Sequence, residues 1–214
     1  MDFALKGLEF SARSVYCIGR NYAAHAKELG NPIAAEPVVF LKPASALVHS
    51  GGKITLPAVS HRVDHEVEVV LAVGRGGKNI PVAHALDHIA GAAIGVDVTA
   101  RDLQDAAKKG ALPWTVSKGF DSFAPVSDFL GLAAIGTLPW EFSLDVNGKR
   151  RQTGNTRDMV HSLAELVHYL STIFTLGQGD LIFTGTPAGV APLAKGDKLH
   201  AVLASKLKLD VTVA

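Results

Sequence analysis

Apolar residues crowd the stretch Glu66–Val73, where Val dominates, no helical spacing interrupts the run and Gly74 ends it. That pattern predicts a β-strand. Both sets of alternate positions are rich in apolar residues, which predicts a strand covered on both faces. Shorter apolar runs predict strands at Val15–Gly19, Pro37–Leu41, Ala92–Val98, Asp180–Thr184, His200–Leu203 and Leu207–Val213, with a short extended piece within Gly51–Pro57. Phe142–Val146 and Arg150–Thr153 flank Asn147-Gly148, the dipeptide of a two-residue hairpin turn. Helical spacing marks Ser162–Phe174, with Gly177 beyond it, and a further helix is expected over Arg101–Lys109. Pro81–Ala90 reads as a helix with Pro in its first turn and Gly91 after its end. Asn21 reads as the cap of a helix over Tyr22–Leu29 that Gly30-Asn31-Pro32 would end. Strands outnumber helices and do not alternate with them. This argues against a doubly wound or TIM-barrel plan and predicts a β-rich α+β fold. No repeat or Ser/Gly/Pro-rich linker divides the 214 residues, so one domain over 1–214 is expected.

The polar positions that interrupt the apolar runs carry the chemistry. Glu66 and Glu68 point to the same side of their strand. Buried together, two carboxylates repel and lose hydration, so they take up a proton or share a cation, and hard divalent ions favour oxygen ligands. A solvated strand face would also accommodate the pair. Asp97 ends the apolar run Ala92–Val96, a place where carboxylates commonly cap a helix or turn. As a third ligand it would, with waters, complete an octahedral Mg²⁺ or Mn²⁺ sphere. His25 and Glu28, three apart on the predicted helix, share a face. They form either an exposed polar face or an imidazole oriented by a carboxylate as a general base. Their helix is about two turns long, too short to stand alone, which suits a lid that orders over a ligand. Lys118 either runs its stem along apolar surface or stabilises a developing oxyanion. Thr184–Val190 is a Gly-rich turn whose N–H groups and hydroxyls suit an anion.

Composition narrows the field. The chain is 48% hydrophobic and 19% charged, enough apolar material for a sizeable core and too little charge for disorder. A net charge near +1, with both signs mixed, leaves no electrostatic footprint for nucleic acid or anionic membrane. Cys17 is the only cysteine, which excludes an intramolecular disulfide and predicts a reducing, cytoplasmic setting. Met1–Lys6 shows no basic region followed by a long apolar one, so no secretory leader is expected. No apolar run approaches the roughly 18 residues of a membrane span. Thr184–Val190 is not a phosphate-binding Walker loop, Gly74-Arg75-Gly76-Gly77 lacks dinucleotide-fingerprint spacing, and no Gly-x-Ser-x-Gly elbow occurs.

Six segments follow one another between about residue 15 and residue 197. They are Gly19-Arg20-Asn21-Tyr22-x-x-His25-x-x-Glu28, Pro37-x-x-Phe40-x-Lys42-Pro43, His65-Glu66-x-Glu68, Asp97-x-Thr99-x-Arg101-Asp102-x-Gln104, Pro113-Trp114-x-x-x-Lys118 and Thr184-Gly185-Thr186-Pro187-x-Gly189-Val190. In that order they resemble the fumarylacetoacetate hydrolase family, specifically its small single-domain acylpyruvase-like branch. The resemblance implies a mixed β-roll of the fumarylacetoacetase C-terminal-domain type, a homodimer, and Mg²⁺ or Mn²⁺ held by Glu66, Glu68 and Asp97. It implies a base dyad of His25 and Glu28 in a mobile lid, with Lys118 beside the reacting carbonyl. Arg20, Gln104 and Thr186 would hold the substrate's carboxylate or keto oxygens. The implied reaction is hydrolysis of a carbon–carbon bond in a 2,4-dioxo acid such as an acylpyruvate, through an enolate that the metal stabilises. Oxaloacetate decarboxylation or keto–enol tautomerisation would use the same site. A non-catalytic metal- or metabolite-binding protein would need the carboxylates but no base.

Overall fold

All seven residues of Val67–Val73 are buried, as a strand covered on both faces requires. In the computed structural model, which describes residues 3–28 and 35–214, this strand lies in the middle of a seven-stranded mixed sheet. Across the sheet run β2 (Val38–Lys42), β1 (Val15–Gly19), β12 (Leu181–Phe183), β6 (Val67–Val73), β7 (Ile89–Val96), β9 (Ala124–Val126) and β3 (Leu47–His49). A five-stranded sheet has the order β11 (Lys149–Asn155), β10 (Glu141–Val146), β14 (Lys198–Leu203), β15 (Leu207–Val213) and β4 (Lys53–Ile54). Three short strands, β13 (Ala191–Pro192), β5 (Val63–His65) and β8 (Thr99–Ala100), make a third. The pairs β1·β12, β3·β9 and β4·β15 are parallel and the others antiparallel. The helices are α1 (Ala23–Glu28), α2 (Arg101–Lys109), α3 (Thr115–Lys118), α4 (Leu132–Ile135) and α5 (Leu163–Ile173). The fold is the strand-rich α+β roll expected from the sequence.

The second sheet is amphipathic. Burial alternates along β10, β14 and β15, so one face, with Leu144, Ala201 and Leu209, joins a core shared with Ile94 and Val96 of β7. Asn147 and Gly148 both take positive φ, 52° and 74°, as the hairpin turn demands. Ser162 and Glu165 form a reciprocal capping box at the start of α5. The break between β5 and β6 falls at Glu66. β5 pairs with β8 and β13, whereas β6 pairs with β7 and β12, so Glu66 sits where the chain passes from one sheet to another.

Three local expectations are corrected. Pro81–Ala90 is not an α-helix: Val82–His88 is a 3₁₀ segment, and Ile89 and Ala90 already belong to β7. The His88 carbonyl accepts from the amides of Gly74 (2.8 Å) and Arg75 (3.1 Å), which draws the chain out of a helical path there. Gly91 therefore lies inside a strand, where a Cβ would meet the Leu130 carbonyl oxygen at 2.6 Å. Asn21 does not cap α1. Its side chain accepts from the His161 amide (2.8 Å) and donates to the carbonyls of His161 (3.0 Å) and Thr184 (2.8 Å), a tertiary link that outcompetes the local cap. The Gly30-Asn31-Pro32 stop and Leu29 lie outside the described residues. Among the described residues no helix is long and apolar enough to cross a membrane.

Candidate active site

β6, the end of β7 and the strand break at Glu66 bring three carboxylates together. Ligand oxygens of Glu66, Glu68 and Asp97 lie within 4.8 Å of one another, and all three residues are buried. The Asp97 amide donates to the Glu66 carbonyl at 2.7 Å, so backbone pairing sets their spacing. Of the nine residues singled out from the sequence, Arg20, His25, Glu66, Glu68, Asp97, Gln104, Lys118 and Thr186 line one cavity. Glu28 stands behind His25, with Oε2 3.2 Å from its Nδ1. The solvated-face reading of the Glu66/Glu68 pair is thereby overturned.

Lys118 is buried at the end of α3 and donates to Glu66 Oε2 (2.8 Å) and Asp97 Oδ2 (2.6 Å). Its ammonium lies in the cavity wall, not in water at the end of a snorkelling stem. Two further cations complete the cluster, and neither drew a role from the sequence. Arg101 donates to Asp64 Oδ2 (2.9 Å), to Gln104 Oε1 (2.7 Å) and to Glu66 Oε1. Lys42 Nζ approaches Asp97 Oδ1 to 2.8 Å, but it hydrogen-bonds to the carbonyls of Val98 (3.0 Å) and Lys118. Among the described residues Asp97 Oδ1 makes no hydrogen bond, and the Lys42 ammonium is its ion-pair neighbour. Both cations lie within the segments that carry the family resemblance, which was the available signal.

The Gly-rich loop presents its N–H groups to the protein's own carboxyl groups. Gly185 N–H donates to Glu68 Oε2 at 2.8 Å, and Gly189 N–H donates to Glu28 (3.1 and 3.2 Å to its two oxygens). One loop therefore touches a carboxylate of the cluster and the partner of His25. Gly189 holds φ of 100°, and a Cβ there would meet the Arg151 carbonyl oxygen at 2.2 Å. Arg20 adopts φ of 62° beside the cavity, uncommon for a residue with a side chain.

Electrostatics separate the carboxylates. Burial opposes ionisation of Glu66, but Lys118 and Arg101 outweigh it and hold its carboxyl well below the usual range. Burial, then the charges of Asp97 and Glu66, push Glu68 well above it, against a smaller effect of the Gly185 N–H. Burial pulls Lys118 down, but Asp97 and Glu66 more than compensate and keep it charged. The resident cations thus satisfy Glu66 and leave Glu68 favouring its proton. A clustered all-oxygen donor set and a carboxylate short of positive charge fit a hard divalent cation.

Known proteins share this arrangement of chain. The family described as fumarylacetoacetate (FAA) hydrolase C-terminal matches residues 14–214. The mitochondrial oxaloacetate tautomerase FAHD1 of Arabidopsis thaliana is 46% identical over 200 residues, covering 92% of this chain and 90% of the relative. A mitochondrial oxaloacetate decarboxylase of Dictyostelium discoideum is 45% identical over 188 residues, 87% and 86% of the two chains. The crystal structure of fumarylpyruvate hydrolase from Pseudomonas aeruginosa, in complex with Mn²⁺ and pyruvate, superposes with a TM-score of 0.93. It is 37% identical and covers 100% of this chain and 95% of that one. With its fold, its carboxylate cluster and a match over nearly its whole length, the chain belongs to the fumarylacetoacetate hydrolase family.

Proposed function

We propose that this protein is a divalent-metal-dependent enzyme that hydrolyses a carbon–carbon bond in 2,4-dioxo acids of the acylpyruvate type. The observation that carries the reading is the pairing of His25 with Glu28 on the same cavity as Glu66, Glu68 and Asp97, because a simple metal or metabolite binder needs no base. Glu66, Glu68 and Asp97 would hold Mg²⁺ or Mn²⁺. Bound there, such a cation would supply Lewis-acid stabilisation of negative charge developing on the substrate.

The chain's own groups do the rest. Glu28, anchored by the Gly189 N–H, accepts from His25 Nδ1 and leaves Nε2 as the basic nitrogen. His25 takes a proton from water, and the hydroxide adds to the 4-carbonyl carbon. Lys118 donates to the oxygen on which charge then develops. The C3–C4 bond breaks as that carbonyl re-forms. Its electron pair passes to the pyruvate half, which gains a proton at C3, and the acyl half leaves as a carboxylic acid. Arg20, Gln104 and Thr186 orient the substrate's carboxylate and keto oxygens. Gln104 accepts from Arg101, which leaves its amide nitrogen free to donate.

The names of the relatives favour a second reading, oxaloacetate decarboxylation or keto–enol tautomerisation. Both use the carboxylates and Lys118, and decarboxylation needs no attacking water. Acetylpyruvate, fumarylpyruvate and both tautomers of oxaloacetate, each assayed with Mg²⁺, Mn²⁺ or EDTA, separate the readings. Turnover that is fastest on an acylpyruvate and abolished by EDTA is expected, and rates unaffected by EDTA would overturn the metal-dependent reading.

We also propose a homodimer. Leu41 on the edge strand β2, Leu112 and Ile173 are exposed and line one apolar groove, the kind of surface a partner covers. Sedimentation should give a dimer that Leu112→Glu with Ile173→Glu weakens, and a monomer at all concentrations would end the proposal.

A further inference from the structure

Gln152, on β11 of the five-stranded sheet, is buried and has both ends of its amide pinned. The Val67 N–H donates to its Oε1 at 3.1 Å, and its Nε2 donates to the Pro187 carbonyl at 2.9 Å. A backbone N–H can only donate and a backbone carbonyl can only accept, so these two partners fix which end of the amide is which. His65 Nδ1, 2.9 Å from Oε1, must then carry a hydrogen. The Thr186 hydroxyl, 2.8 Å from Nε2, must accept there. Its own proton is therefore turned away from Gln152. Thr186 lines the cavity with His25 and the three carboxylates, and among the described residues no acceptor takes that proton.

We infer that Gln152 is a positioning residue that locks the Thr186 hydroxyl as a donor into the cavity, matched to a carboxylate or keto oxygen of the bound oxo acid. An ordinary hydroxyl can turn to accept as readily as it donates. With one of its two lone pairs engaged by the Gln152 amide and its proton directed away from that amide, the Thr186 hydroxyl favours a ligand oxygen over a ligand N–H or O–H. Gln152 thus deepens the proposed function at one point, substrate selection, and rests on the placing of Thr186 against substrate. Its signal was hidden because it lies 34 residues from Thr186, within the polar run Lys149-Arg150-Arg151-Gln152.

Kinetics on an oxo acid that the wild type turns over, at saturating Mn²⁺, test the assignment. Gln152→Met is expected to raise KM about tenfold, as loss of one ordered hydrogen bond to a charged group would, and to lower kcat by less. Thr186→Val should raise KM at least as much, and Thr186→Ser should restore it. The double variant Gln152→Met with Thr186→Val should be no worse than Thr186→Val alone, because both remove the same contact. Additive effects, or an unchanged KM in Gln152→Met, overturn the inference, since a merely structural Gln152 would act independently of Thr186. Mn²⁺ titration of each variant should show unchanged metal affinity, and a loss equal to the KM effect would place Gln152 with the carboxylates instead. If Gln152→Met does not fold, Gln152→Glu keeps the acceptor for Val67 and carries the same cycle. If no oxo acid is turned over, the proposed function fails and the inference is read from pyruvate titrated into the Mn²⁺-loaded variants. The same non-additive loss of affinity is then expected, and absence of pyruvate binding to the wild type would sink it.

Discussion

Glu66 and Glu68 stand two positions apart on one wall of the cavity and are held in opposite ways. Glu66 receives two cations, Arg101 on one oxygen and Lys118 on the other at 2.8 Å. Glu68 receives only the Gly185 N–H at 2.8 Å among the described residues. Ionised Glu66 is thereby favoured, and it adds to the burial and the Asp97 charge that disfavour ionised Glu68. The strand repeat that turns both side chains the same way creates the repulsion, and the uneven supply of cations decides which carboxylate bears it.

Metal affinity should therefore rise with pH. Glu68 has a folded pKa above its ordinary value of 4.5, so the metal-free folded state keeps a proton that the unfolded chain releases. Metal-free stability falls as pH climbs from about 4.5 toward the raised value. Glu66 has the reverse sign: its depressed pKa contributes stability above 4.5 that is lost as pH falls below it. A divalent ion needs Glu68 ionised, so binding expels a proton. Calorimetric titration with Mn²⁺ in two buffers of different ionisation enthalpy, repeated over a series of pH values above 4.5, is expected to show proton release that declines as pH rises. An affinity independent of pH, with no proton release, would mean that Glu68 is already ionised.

Asp97 should decide whether the metal stabilises the fold. A ligand at about 100 times its Kd adds roughly 2.7 kcal/mol, which for a chain of this size is a rise in Tm of roughly 5–10 °C. Asp97→Asn offers the ion one charge fewer and deprives Lys118 of a counter-ion, so the variant should melt lower without metal and gain little with it. Thermal melts with and without Mn²⁺, reversed by EDTA in the wild type, measure both effects. A full Mn²⁺ shift in Asp97→Asn would place the ion elsewhere.

What could be read from the sequence was local. Leu207–Val213 and Arg101–Lys109 fall where the pattern puts them, and Asn147-Gly148 makes its hairpin, because period and turn chemistry act over a few residues. The three carboxylates were legible because each interrupts an apolar run. What holds them was not. Arg101 reaches Glu66 across 35 residues, Gly185 reaches Glu68 across 117 and Gly189 reaches Glu28 across 161, and such pairs leave no periodic trace. Asn21 misled for the same reason, since its partner His161 lies 140 residues away. The family resemblance supplied the grouping that spacing alone could not.

Gly95 links core packing to the site. It lies opposite Glu68 in the β6·β7 ladder, and a Cβ there would meet Val70 Cγ2 at 2.7 Å and Phe183 Cε1 at 2.8 Å. Both neighbours are fully buried and have no space to yield. Gly95→Ala should cost roughly 1–3 kcal/mol by overpacking and weaken Mn²⁺ binding through the displaced ladder. Phe183→Leu in the same chain should recover part of the loss, a coupling that urea unfolding of the two single variants and the double variant would expose. Strictly additive losses would mean that the strain is relieved elsewhere.

The chemistries open to this site part company at His25. Hydrolysis needs a base to activate water and tautomerisation needs one to move a proton, whereas decarboxylation of oxaloacetate loses carbon dioxide without either. His25→Ala should lower acylpyruvate hydrolysis and oxaloacetate tautomerisation by about 10²–10⁴ and spare decarboxylation by comparison. Lys118→Met should lower all reactions that build charge on a substrate oxygen, by about 10²–10³ in turnover. Because Lys118 also neutralises Glu66 and Asp97, Mn²⁺ affinity must be measured beside the rates, so that loss of the ion is not mistaken for loss of the donor. Steady-state rates for the three reactions in wild type, His25→Ala and Lys118→Met give a pattern that one substrate could not. Acylpyruvate hydrolysis untouched by His25→Ala would remove the imidazole from the mechanism, whatever its distance from Glu28.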